Sequence, residues 1–162
     1  MENGTEKAKK NMLIEKTLRK YADMIYRLAF QYTGNEYDAQ DILQEVGLSL
    51  VRADAPFDDE RYLRNWLCRV TVNKCRNLSK QKKLRVYEEL DENIAVFEAE
   101  PLSLSCELAA LPEKYRTVLY LYYYEEFSIE EISAITDSNP NTVGSRLRRG
   151  RDKLRKILSE GE

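Results

Sequence analysis

At 162 residues the chain is long enough for one domain or two small ones, and 43% apolar with 33% charged residues suits an ordered, soluble, helical protein rather than a disordered one. Its net charge of −2 argues against a nucleic-acid partner only until the distribution is read, because basic and acidic residues are segregated along the chain. It has no histidine, which removes the commonest general base, the usual catalytic triads and the commonest metal ligand. No apolar run approaches the roughly 20 residues of a membrane span, and the opening MENGTEKAKKNM lacks the apolar segment of a signal peptide. A cytoplasmic protein that does not insert into membranes is expected.

Leu18, Tyr21, Ala22, Ile25, Leu28, Ala29 and Tyr32 recur at steps of three and four, the pattern of an amphipathic helix that Gly34 can end in a left-handed conformation. Asn35 then caps a second helix, with Ala39, Ile42, Leu43, Val46 and Leu50 as its buried stripe. The opposite side carries Asp38, Asp41, Gln44, Glu45 and Leu48. That row has three readings on residue chemistry alone: an ordinary solvated face, a docking surface for a basic partner helix, or paired carboxylates for acid–base or metal chemistry. RADAPFDDE, Arg52 to Glu60, reads as a loop.

A third helix resumes near Arg61 and runs to about Lys83, with Leu63, Trp66, Leu67 and Val70 on one face. From Arg61 to Arg85 there are nine basic residues and no acidic one. Interleaved Tyr62, Trp66, Asn65, Asn73 and Asn77 offer stacking and hydrogen bonding to unpaired bases, while the cations hold a backbone. Trp66 taken alone reads equally well as a core residue. Cys68 and Cys75, about 10 Å of helical rise apart, are too distant for a disulfide, and with Cys106 they form no Cys-x-x-Cys pair. All three are expected as core or boundary thiols.

Glu88 to Glu107 holds seven acidic residues and no basic one, and Glu88 to Ser105 reads as a flexible acidic linker. Beyond Leu111-Pro112, the positions Tyr115, Val118, Leu119 and Tyr122 favour a helix over Glu113 to Glu126, although TVLYLYYY also has strand propensity. Ser128 followed by Glu131 is a capping box that starts a helix with Ile129, Ile132 and Ile135 on one side. Thr136, Asp137, Ser138 and Asn139 favour a turn, and Pro140 fits the first position of a last helix whose stripe is Val143, Leu147, Gly150, Leu154 and Leu158. Opposite that stripe lie Asn141, Ser145, Arg148 and Arg149, flanked by Arg146, Arg151, Lys153, Arg155 and Lys156. A helix with such a face, preceded by a capped helix and a tight turn, suits the major groove of duplex DNA.

In their order and spacing these stretches resemble the extracytoplasmic-function (ECF) group of bacterial sigma factors. DAQDILQEVGLSL (Asp38 to Leu50) is similar to the family's polymerase-docking helix. YLRNWLCRVTVNKCRNLSKQKK (Tyr62 to Lys83) is similar to its start-proximal promoter segment, and LPEKYRTVLYLYYYEEFSIEEISAIT with NTVGSRLRRGRDKLRKIL to its carboxyl-terminal domain. The resemblance implies an all-α fold: two small helical domains, 12–85 and 106–160, the second a helix-turn-helix domain, joined by a flexible acidic linker over 86–105. It implies that Asp38, Asp41, Gln44, Glu45 and Leu48 dock on core RNA polymerase, and that Arg52 to Arg61 form a loop capturing a flipped base. Asn65, Trp66, Asn73, Lys74, Arg76, Asn77 and Lys80 would contact the melted minus-ten element and its duplex edge. Asn141, Thr142, Ser145, Arg146, Arg148 and Arg149 would read the minus-thirty-five element.

The same resemblance implies a non-catalytic initiation factor that needs no cofactor or metal, is monomeric when free, and answers to an anti-sigma factor able to hold it at the membrane. Two rivals make different predictions: a dimeric DNA-binding regulator, and a metal hydrolase using Asp38, Asp41 and Glu45. The sequence departs from the family at Asn77, where an aspartate is common, and at Gly144, where a lysine is usual after the Thr-Val pair.

Overall fold

A computed structural model describes residues 2–85 and 105–160; apart from Ser105, the acidic connector expected over 86–105 lies outside the described residues. Every regular element among the described residues is helical, in keeping with the all-α expectation. Helix α1, Glu2–Thr33, begins well before Leu18, because Ile14 and Thr17 continue the buried stripe upstream of Tyr21, Ile25 and Leu28. Gly34 ends it at φ +67°, and its amide donates to Phe30 O at 2.7 Å. Asn35 Oδ1 accepts from the Asp38 amide at 3.2 Å and starts α2, Glu36–Arg52, which buries Ala39, Ile42, Val46 and Leu50.

After the expected loop, Asp59 Oδ1 accepts from the amides of Arg61 (3.1 Å) and Tyr62 (3.2 Å) and opens α3, Glu60–Arg85. Leu67, Cys68, Val72 and Cys75 of α3 close the core against Ile25 and Leu28 of α1 and Val46 and Leu50 of α2. Each large apolar side chain removed from water there contributes about 1.5–3 kcal/mol before chain entropy is counted. Cys68 and Cys75 are free and buried, as expected of core thiols; burial raises the Cys68 pKa, and burial pushes Cys75 up to about 12. The Cys106 side chain lies outside the described residues.

The carboxyl-terminal elements are α4 (Ser105–Ala109), α5 (Glu113–Leu119), α6 (Ile129–Thr136) and α7 (Pro140–Glu160). The strand-prone TVLYLYYY is helical, but α5 loosens into a π-helical turn over Tyr120–Tyr124. That turn buries both Tyr120 and Leu121, and Tyr120 stacks on Tyr124 at 5.2 Å. The Tyr120 hydroxyl donates to Glu125 Oε1 at 2.7 Å.

The capping box is present in both directions: the Glu131 amide donates to Ser128 Oγ and the Ser128 amide to Glu131 Oε1, each at 3.1 Å. Asp137 then reverses the chain in the left-handed region (φ 51°, ψ 48°). Helix α7 buries Val143, Leu147 and Gly150; a Cβ at Gly150 would stand 3.1 Å from Leu119 Cδ1, so glycine there lets α7 approach α5 closely. Leu158 departs from the expected stripe at 40% exposed; Ile157 packs in its place, because the 3.6-residue period carries the buried line from Leu154 to Ile157.

The two helical groups touch. Helix α3 packs on α6, and α1 packs on α5 and the π-helical turn.

Candidate nucleic-acid and partner interfaces

Helix α7 is anchored by Leu147 and its neighbours, so its opposite face is presented outward. Asn141, Arg148 and Arg149 are exposed, while Thr142, Ser145 and Arg146 are half-buried. Asn139 Oδ1 accepts from the Asn141 amide at 2.8 Å and caps the first turn; Arg146 Nη1 reaches Ser138 Oγ at 3.3 Å and braces the turn between the helices. Asn141, Thr142, Ser145, Arg146 and Arg149 line one side of an open cleft of about 380 Å³, whose other wall is Lys114 and Tyr115 of α5. Lys114 was not singled out by sequence, since its approach to α7 depends on how α5 packs.

On α2, Asp38, Asp41, Gln44, Glu45 and Leu48 lie along one side, with Leu48 45% exposed. Two of the carboxylates already have cationic partners on α3: Asp38 pairs with Lys82, and Glu45 with Lys74 at 3.8 Å. Among the described residues no group of three or more acidic or thiol side chains converges as a metal site would require.

Helix α3 presents its residues unevenly. Asn73, Asn77 and Lys80 are exposed, whereas Asn65, Trp66, Lys74 and Arg76 are half-buried. Asn65 Nδ2 donates to Glu131 Oε2 at 3.1 Å, and its Oδ1 is buried without a partner. Arg76 donates to the carbonyl of Thr136 at the end of α6. Trp66 packs against the core and lines, with Tyr62, Asn65 and Arg69, a cleft of about 330 Å³ closed on its far side by Ala134 and Ile135 of α6. Trp66 thus lies at the core margin, as the core reading expects, and also borders a surface cleft. Pro56 of the Arg52 to Arg61 loop borders the same cleft.

Residues to which sequence reasoning gave no such role stitch the two groups together. Arg64 donates to Glu125 O at 2.6 Å, pairs with Glu125 Oε2 at 3.0 Å, and lies over the Phe127 ring at 4.1 Å. Arg116 donates to Gln31 O and, at 3.1 Å, to Tyr32 O, satisfying carbonyls at the end of α1. Burial pulls the Arg116 guanidinium below its ordinary value, with the Glu113 carboxylate opposing. Burial pushes Glu131 up, but the Ser128 backbone amide, Asn65, the Ser128 hydroxyl and Arg61 more than offset it and hold the carboxyl below its usual range. Nothing periodic marks these residues, because Arg64 and Glu125 are 61 positions apart.

The geometry defines a class: an all-helical protein with an outward-facing helix-turn-helix packed against a three-helix unit that carries an acidic row on α2. The sequence matches Sigma-70 region 2 over residues 17–85 and Sigma-70, region 4 over residues 102–154. It is 34% identical to the ECF RNA polymerase sigma factor SigW of Bacillus subtilis (strain 168), over 86% of each chain. It is 33% identical to the RNA polymerase sigma factor SigV of the same strain, over 83% of this chain and 84% of that one. In fold it is similar to the sigma factor RpoE in complex with the anti-sigma factor NepR from Bartonella quintana, with TM-score 0.73 and 20% identity over 90% of this chain and 96% of that one. It is also similar to CnrH in complex with the cytosolic domain of CnrY, with TM-score 0.64 and 20% identity over 92% of this chain and 89% of that one. The chain belongs to the ECF sigma factors, the family of its curated relatives, and is therefore a transcription initiation factor.

Proposed function

We propose that this sigma factor divides its work between two modules, 12–85 and 106–160, that core RNA polymerase holds at a promoter-matched spacing. The Asp38, Asp41, Gln44, Glu45 and Leu48 row docks on basic helices of the polymerase. Asn65, Trp66, Asn73, Lys74, Arg76, Asn77 and Lys80 engage the melted minus-ten strand and its duplex edge, with the Arg52 to Arg61 loop taking a flipped base. Asn141, Thr142, Ser145, Arg146, Arg148 and Arg149 serve the minus-thirty-five element, Arg146 by bracing the turn and the exposed Asn141, Arg148 and Arg149 by touching bases and phosphates.

The observation that carries the reading is the outward face of α7 behind a fully capped α6, the arrangement that inserts a helix into the major groove. Polymerase performs the chemistry; the chain supplies recognition and helps open the duplex. An anti-sigma factor is a regulator of the kind recorded in the complexes with NepR and CnrY. Among the described residues no helix is long and apolar enough to cross a membrane, and such a partner is the proposed means of holding the chain at one.

The test is transcription from a promoter pool by core RNA polymerase with and without the purified chain, reading start sites by sequencing. Chain-dependent starts sharing two spaced upstream motifs are expected. Absence of any complex with core polymerase would overturn the assignment in favour of the dimeric DNA-binding regulator.

A further inference from the structure

We infer that Lys74 and Lys82 act as internal counter-ions for the docking carboxylates, so that polymerase docking releases two cations for DNA and the two ligands bind cooperatively. The inference rests on the docking role proposed above for the α2 row. Its basis is the pairing of α2 with α3: Lys82 with Asp38, and Lys74 with Glu45 at 3.8 Å. The Asp38 side chain is only 14% exposed and that of Lys74 34%, so the Asp38 pair has one shielded partner and the Glu45 pair one that is half-buried. Glu45 and Lys74 also face each other across an open cleft of about 210 Å³ that Leu48 and Arg52 border, room for a cationic side chain arriving from a partner.

The consequence is a competition. A basic polymerase helix approaching Glu45 and Asp38 must displace the chain's own lysines, and each displaced lysine faces an α3 surface already rich in cations. Phosphates then gain partners that were engaged before docking. Linkage requires the converse as well: DNA that draws Lys74 and Lys82 away exposes the carboxylates to polymerase and tightens docking by the same factor. Asp41 has no ion pair among the described residues and stands outside this exchange.

The experiment measures affinity of labelled full-length chain for core RNA polymerase without DNA. Lys74→Gln with Lys82→Gln should bind core about two- to tenfold more tightly, the sum expected of two partly exposed ion pairs. Lys80→Gln, which changes charge on the same helix at a residue with no ion pair among the described residues, should move affinity less. Equal effects from Lys80→Gln, or no tightening, overturn the inference. The carboxylate side is read without polymerase, by anisotropy on a dT20 oligonucleotide. Asp38→Asn with Glu45→Gln should raise affinity of the free chain more than twice as much as Asp41→Asn alone, and a gain of twice that or less counts against it. Asp41→Lys separates the two levels. If it leaves core binding intact, the docking role itself fails; if it abolishes core binding while the lysine variants behave as wild type, only the counter-ion role fails.

Discussion

Helices α3 and α7 are built from the same materials, arginine, lysine and asparagine along one side of an amphipathic cylinder, yet they are employed differently. Helix α7 keeps Asn141, Arg148 and Arg149 in solvent. Helix α3 turns Asn65 toward Glu131, Arg76 toward the Thr136 carbonyl, and Lys74 and Lys82 toward α2. The difference lies in what stands opposite. Helix α3 faces the Glu131 carboxylate, the Thr136 carbonyl at the end of α6 and the Asp38 and Glu45 carboxylates of α2, whereas among the described residues no such acceptor holds the side chains of Asn141, Arg148 or Arg149 on α7. Identical residue types therefore serve as internal ties on one helix and stand as an open polar face on the other. In this arrangement Asn65 and Arg76 are engaged with α6.

The comparison is sharpest on α7. Arg148→Ala with Arg149→Ala should weaken binding of holoenzyme to the upstream element by at least about tenfold, as loss of base and phosphate contacts worth about 1–3 kcal/mol implies. Stability should stay within about 0.5 kcal/mol of wild type in urea unfolding, since both side chains are exposed. Equal loss of core binding would contradict the division of labour between the modules. The matching change on α3 should behave in the opposite way. Arg64→Ala removes a charged hydrogen bond to Glu125 O, an ion pair and a ring contact, and should cost about 1–3 kcal/mol of stability by the same urea measurement.

Glu131 gives a milder probe of the same contact. Its folded pKa is lowered, so its contribution is fully present above the ordinary glutamate range and is lost as pH falls through the lower folded value. Acid should therefore loosen the α3–α6 contact, and Glu131→Gln should flatten that pH dependence when unfolding is followed across the acidic range. The smallest effect is expected at Gly144, where a Cβ would meet nothing within 4 Å. Gly144→Ala should stabilise α7 by up to about 1 kcal/mol in thermal unfolding while leaving the recognition face unchanged.

Much of the local structure was legible because its determinants sit within a few residues of one another. Gly34, Asn35 and the Ser128–Glu131 box each satisfy backbone groups of the turn they occupy, so residue type and spacing were enough. Periodicity located the buried stripes of α1 and α2 and the outward face of α7; on α3 it found Leu63 and Leu67, but the buried line continues through Cys68, Val72 and Cys75 while Trp66 and Val70 are half-buried. It failed at the end of α7, where a choice between Ile157 and Leu158 depends on accumulated rotation, and at Tyr120–Tyr124, where the π-helical turn shifts the register. The candidate site was legible as chemistry but not as pairing.

What the sequence alone determined is the inventory: capped helices, an acidic row on α2, a basic block on α3 and a helix-turn-helix with an arginine face. These follow from hydrogen bonds and hydrophobic periods that act over one or two turns. Which cations remain free was decided by tertiary structure alone. Arg64 meets Glu125, Arg116 meets the end of α1, and Lys82 meets Asp38 across 61, 84 and 44 positions of chain. Such ion pairs and hydrogen bonds are short-range in space and indifferent to sequence separation, so only the folded packing of α3 against α2 and α6, and of α5 against α1, could select them.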